Sequence, residues 1–244
     1  MFPILHIGPL SINTSILILL AGLWIALWVG EKQYPTASPS FSLYENLVLT
    51  ALIAGIMGAR LGYAVQNISA FMSDPLALLT PSPNMLDLPA GALAAFLAAL
   101  VYGHRHSLKL WKTLDQLTPP ASVFASTVHL ANLASGDAYG APTQAPWCIH
   151  LWNACRHPTQ VYAFILALGV AIFILRTSRY NLPEGFQFWA FIGMSALVRL
   201  IIEPFRGDSA ILLGIFRQAQ FIAWLVLLIS LFQISKRIKL IDRE

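Results

Sequence analysis

Seven stretches of this 244-residue chain are mostly apolar, with polar residues gathered between them. They run approximately Ile12–Val29, Leu47–Val65, Leu88–Tyr102, Ala121–Ala134, Val161–Leu175, Phe186–Ile202 and Ala210–Ile234. A helix needs about 20 predominantly apolar residues, sometimes only about 17, to cross the hydrocarbon core of a bilayer. Most of the seven approach that length and predict membrane-spanning helices. The fourth is short and carries Ser122, Ser126, Thr127, His129 and Asn132. It qualifies only where neighbouring helices cover its polar face, as in a bundle with an internal cavity. The Pro- and Ser-containing stretches 35–42, 73–84 and 118–122 read as loops.

The positive charges test that count. With seven spans, three loops and the C-terminal tail share one side and hold Lys32, Arg105, Lys109, Lys112, Arg176, Arg179, Lys236, Arg237, Lys239 and Arg243, ten of the fifteen Lys and Arg. The other side holds only Arg156 and Arg206. Because positive residues stay cytoplasmic, the N-terminus is expected outside and the C-terminus inside. Omitting the polar fourth span would mix the two sides and erase the asymmetry. The expected fold is therefore an all-α polytopic integral membrane protein of seven transmembrane helices, a single domain over residues 1–244. Met1–Ile12 lacks a basic leader, so the first segment is expected to remain as a span.

Composition agrees: 57% of residues are hydrophobic and only 11% charged, far outside the range of an ordinary soluble domain. The net charge of +4 reflects the cytoplasmic bias and contact with anionic head groups of the lipid bilayer. It does not point to nucleic acid, since there is no aromatic-interleaved basic patch. No inverted repeat or pair of broken spans favours a transporter.

Three arginines remain inside apolar segments: Arg60, Arg199 and Arg217. An ionisable group at membrane depth is costly and marks a functional site by default, with its partner close by. Arg199 and Glu203 are four apart on one helical face and can pair. In the predicted topology Arg60, His129, Asn132, Asp137, Arg156, His157, Gln160, Arg206 and Arg217 also fall toward the external leaflet. Arginine holds phosphate oxygens through a planar, permanently charged fork. The residues alone thus suggest a cavity for a lipid phosphate head group. Plainer readings stand beside this one. Arg199 and Glu203 can be a structural ion pair, Arg60 can snorkel, and Arg206 can be a rim charge. His129 and Asn132 can be interhelical hydrogen-bond glue, and Asp137 a turn residue.

Cys148 and Cys155 lie in an external loop, where an oxidising compartment favours a disulfide. Interleaving with His150 and His157 also spells a Cys-His-Cys-His set, though with tighter spacings than usual zinc sites. No metal is expected.

GARLGYA (58–64), ANLASGDAYGAPTQAPW (131–147), RHPTQVY (156–162) and RLIIEPFRGD (199–208) resemble, in order and spacing, the prolipoprotein diacylglyceryl transferase family. The likeness spans roughly residues 50–225. It implies a seven-span enzyme of the bacterial inner membrane that uses no cofactor. Such enzymes move the diacylglyceryl group of phosphatidylglycerol to the lipobox cysteine, next to the signal peptide of a lipoprotein precursor, and glycerol phosphate leaves. By resemblance Arg60 and Tyr63 of the first motif, Asp137 in place of a family glutamate, and Arg156, His157, Gln160 and Arg206 are substrate-binding. His129, Asn132, Arg199 and Glu203 are the catalytic candidates. Pro89 stands where the family carries a third-span histidine, His129 where it carries an arginine, and Ala163 where it carries a glutamate. His129 is then the histidine best placed to act as base. The alternative is a non-catalytic or altered-specificity paralogue that binds an anionic phospholipid in the outer leaflet.

Overall fold

The computed structural model describes residues 4–7, 10–34, 41–73, 85–212 and 216–241. The chain opens with a hairpin of β1 (Ile4–Ile7) and β2 (Leu10–Asn13), followed by helices α1 (Thr14–Gln33), α2 (Phe41–Gln66), α3 (Ile68–Ser73), α4 (Leu88–Arg105) and α5 (Leu110–Ser135). A second hairpin, β3 (Ile149–Leu151) and β4 (Ala154–Arg156), leads to α6 (Thr159–Thr177) and α7 (Phe186–Ile202). A single 3₁₀ turn (Glu203–Phe205), a third hairpin of β5 (Ile211–Leu212) and β6 (Phe216–Arg217), and α8 (Gln218–Ile241) complete it. Among the described residues, six helices are long and apolar enough to cross a membrane, which makes this a multi-pass membrane protein. Trp24, Leu93, Ile165 and Phe221 stay exposed on them, as lipid-facing side chains do.

The chain divides into two compact units, residues 36–113 and residues 1–35 with 114–244. In the first, α2 and α4 are antiparallel along a seam of small residues. Gly55 meets Ala95, Gly58 meets Ala94, Gly62 meets Ala90, and Ala59 meets Gly91. Apolar side chains gain nothing by leaving lipid for one another, so close backbone packing between small residues is what drives such association. Asp87 caps α4 by accepting from the Ala90 N–H (2.7 Å). Pro89 lies in that helix's first turn, where a missing N–H costs nothing.

In the second unit, contacts fix the direction of each helix. Ser15 at the start of α1 donates to the Ala131 carbonyl near the end of α5 (2.9 Å). Gln33 at the end of α1 donates to Leu175 and Ser178 at the end of α6 (3.2 and 2.7 Å). Asp115 near the start of α5 accepts from Gly185 and Phe188 at the start of α7, and Arg237 near the end of α8 donates to the Glu184 carbonyl (2.7 Å). Val170, Ile174 and Ala190 form a core between α6 and α7, to which Ile234 of α8 adds. Hydroxyls of α5 are satisfied within the helix: Thr118 donates to Leu114 (2.7 Å), Ser122 to Pro119 (2.7 Å) and Ser126 to Ser122 (3.2 Å).

Four expectations need correction. Residues 118–122 are helical, because Pro119 and Pro120 remove only the ladder bonds to the carbonyls of residues 115 and 116 and the rest of α5 holds the helix through them. The last apolar segment starts later than expected, since 210–217 contains a hairpin before α8 begins at Gln218. Arg217 therefore precedes that span instead of lying within it. Ile12 belongs to β2, and α1 starts at Thr14 after Asn13, whose side chain accepts from the Ser15 N–H (3.0 Å). The described residues are thus mostly helical, with three small hairpins among them. Of the other two expected loops, 35–40 and 74–84 lie outside the described residues, while Phe41 and Ser42 open α2 and Ser73 ends α3.

A Cβ at position 58 would overlap that of Ala94, whereas one at Gly103 meets nothing within 4 Å. Gly58→Val should destabilise the protein by about 1–3 kcal/mol, and Gly103→Ala should be neutral or slightly stabilising. Thermal melts in detergent check this; equal melting temperatures would discount the seam.

Candidate active site

Three separate segments are stitched together beside the ends of α5, α6 and α7. The Ala141 N–H donates to Phe205 (2.8 Å), Gly207 to Tyr139 (2.9 Å) and His157 to Ala141 (3.1 Å). Gly140 is required here, because a Cβ would strike the His157 carbonyl. Arg156 ties the same loops: its side chain donates to Leu151 (3.1 Å) and Gly140 (3.2 Å) and lies over the Tyr139 ring (4.9 Å). His157 packs edge-on against Phe205 at 5.3 Å. Cys148 and Cys155 form a disulfide (Cα–Cα 5.5 Å) that closes the β3–β4 hairpin and consumes both thiols.

Beneath the stitched loops lies a cavity of roughly 90 Å³, walled by polar His129, Thr159, Gln160, Ser195, Arg199 and Arg206 and by Ala138, Ala163, Val198 and Ile202. A second, more apolar cavity of roughly 110 Å³ shares His129, Ser195 and Val198 with it. Arg199 is the central charge. Its Nε lies 2.9 Å from Glu203, whose side chain is 0% exposed while that of Arg199 is 42% exposed. Glu203 therefore depends on the arginine for its counter-charge, whereas the arginine also faces the cavity. Arg206 is already gripped by Asp208 through two bonds of 2.8 and 2.6 Å. Arg217 holds this turn from its far side, donating to the Glu203 and Arg206 carbonyls and the Ser209 hydroxyl at 2.6, 2.7 and 2.9 Å. The Glu203 carbonyl also accepts from the Arg206 N–H (3.1 Å), so Arg217 reinforces a turn that is already closed.

The structure thus brings His129, Gln160, Arg199 and Arg206 to one cavity, with Glu203 paired to Arg199. Gln160 is 1% exposed and donates to the Asp137 main-chain carbonyl (2.8 Å). The Asp137 side chain is exposed and bonded to Ser135 (2.6 Å), so only its backbone supports the wall. Asn132, Arg156 and His157 are not among the wall residues. Arg60 and Tyr63 belong to the 36–113 unit, where Arg60 donates to Met85 (3.2 Å) and Tyr63 packs edge-on against Phe71 at 6.2 Å. Ser195 and Asp208 went unread in the sequence. Ser195 precedes Arg199 by four residues, and that helical spacing was the available signal.

Fold and site together define a multi-pass membrane protein with an arginine-walled cavity among its helices. Residues 3–235 match the family model for Prolipoprotein diacylglyceryl transferase, and the chain belongs to that family. It is 26% identical over 225 residues to the phosphatidylglycerol–prolipoprotein diacylglyceryl transferase of Brucella anthropi, covering 85% of this chain and 79% of that protein. The proteins of the same name from Brucella canis and Brucella ovis are 27% and 26% identical over equal shares.

Alkylation should find no free thiol until reductant is added. Replacing both Cys148 and Cys155 by Ser should cost about 2 kcal/mol, as expected for a short closed loop. Two thiols reactive in the folded, oxidised protein would contradict the bridge.

Proposed function

We propose that this chain transfers the diacylglyceryl group of phosphatidylglycerol to the lipobox cysteine thiol of a lipoprotein precursor, and that the cavity at His129 and Arg199 is where this occurs. The observation that carries the reading is Arg199. It is held by a fully buried carboxylate, yet it forms the wall of a cavity that a histidine shares.

The chemistry makes two demands. A thiol of pKa about 8.5 must lose its proton, and a phosphate must be stabilised as its bond to carbon breaks. His129 takes the thiol proton. The thiolate attacks the glycerol carbon that carries the phosphate ester, forming the C–S bond as the C–O bond breaks. Glycerol phosphate departs with the electron pair and receives the proton from His129. Arg199 receives the developing charge, and Glu203 holds its guanidinium in place. Pro89 moves no proton, so the base must come from elsewhere than the start of α4. Arg206 lines the cavity beside Arg199, whereas Asn132, Arg156, His157 and Asp137 are assigned to head-group orientation and substrate binding on the motif match alone. Arg60 and Tyr63 on α2 are assigned to lipid binding on the GARLGYA match alone.

In this reading α5 is the seventh span. Its run from the Asp115 contact to the Ser15 contact, alongside the apolar helices, supports that assignment. The charge asymmetry supports an external N-terminus and a cytoplasmic C-terminus in a bacterial inner membrane. The whole chain then acts as one functional domain.

Purified protein given labelled phosphatidylglycerol and a lipobox peptide should yield a thioether-linked diacylglyceryl adduct, read by mass analysis of the cysteine. Arg199→Lys should lose about 10²–10³-fold, since a point charge cannot reproduce the fork. His129→Gln should lose about 10²–10⁴-fold while lipid retention survives. Lipid retention by the unmodified protein with no adduct would replace this reading with the non-transferring paralogue. Full activity of His129→Gln would remove the base.

A further inference from the structure

We propose that the side-chain carbonyl of Gln160 accepts a hydrogen bond from a hydroxyl of the lipid head group, and so selects a glycerol head. The inference rests on the lipid-transfer reading above and gives that site a specificity element. Gln160 opens α6 and is almost wholly buried in the cavity wall. Its Nε2 donates to the Asp137 carbonyl (2.8 Å), which fixes the orientation of the amide. Rotating it would set one carbonyl against another. Its Oε1 is left buried with no hydrogen-bond partner among the described residues. A buried acceptor without a donor is strongly disfavoured, so whatever fills the cavity must supply one.

The neighbours decide which donor. The charged groups on this wall are the guanidinium groups of Arg199 and Arg206; their carboxylate partners, Glu203 and Asp208, are not on it. An ammonium head group would bring a further cation beside two arginines. A head without a donor would leave Oε1 unmet. A neutral hydroxyl attached to a phosphate satisfies both constraints, with the phosphate on Arg199 and the hydroxyl on Gln160.

The test compares phosphatidylglycerol with phosphatidylpropanol, which keeps the phosphate and lacks the hydroxyls, in wild type and Gln160→Met. Wild type should favour phosphatidylglycerol in kcat/KM by roughly ten- to a hundredfold. In Gln160→Met the preference should shrink to within about threefold, because no acceptor remains to be left unpaired. A variant that slows on both lipids with an unchanged ratio makes Gln160 a structural residue and overturns the inference. A wild-type ratio near one overturns it even if the variant does not fold, and means that water or the incoming thiol meets Oε1. If wild type transfers neither lipid, the transfer reading fails. The same ratio is then read from equilibrium retention of the two lipids, so the head-group inference is judged on its own.

Discussion

A carboxylate with no access to solvent needs a counter-charge, and Glu203 has Arg199 at 2.9 Å. Taking both charges from water is expensive, and the attraction between them recovers little beyond that cost. Such a pair is poor value as a stabilising device, more so because Arg199 remains half exposed. Its placement makes sense when the arginine is wanted at the cavity wall and the glutamate keeps it there. The surrounding structure follows from that need. Arg217 fixes the carbonyls of the same turn, Asp208 immobilises Arg206, and Gln160 anchors the facing wall. Each guanidinium has a defined partner, so none collapses across the cavity.

The loops serve the same end by main-chain means. Segments near residues 140, 157 and 206 approach too closely for a side chain at Gly140, and their backbone bonds hold α5, α6 and α7 at one end. The disulfide closes the hairpin that leads into this stitching. At the other end of the unit, Asp115 and Arg237 secure the start of α7. With both ends held, the small polar faces of α5 and α7 can line cavities without being pressed shut.

Much of this was legible in the chain because its signals are physical and local. Membrane spans are long apolar runs, and α7 matches the expected Phe186–Ile202 at both ends. Helical spacing alone brought Arg199 to Glu203. What misled were short apolar runs, which periodicity cannot assign. Residues near 211 continue the hydrophobic character of α8 yet form strands, because Arg217 must reach the turn at Glu203 before the helix can begin. The helical state of Pro119 and Pro120 was hidden because a proline pair reads locally as a helix breaker, whereas here it costs only two bonds of a long helix. His157, in the most distinctive motif, packs on Phe205 and is absent from the cavity wall, which a linear motif cannot foretell.

The central claim is that the buried pair is kept for the arginine's reach into the cavity and not for stability. The double replacement Arg199→Met/Glu203→Met tests it most directly, with thermal unfolding and diacylglyceryl transfer measured on the same preparation. Similar volume without charge should leave the melting temperature at or above that of the wild type, since well-packed apolar substitutes for buried ion pairs are often neutral or stabilising. Transfer should be abolished in the same sample. A folded double variant that still transfers the lipid at the wild-type rate would contradict the account, as would a large loss of stability, which would make the pair a structural one.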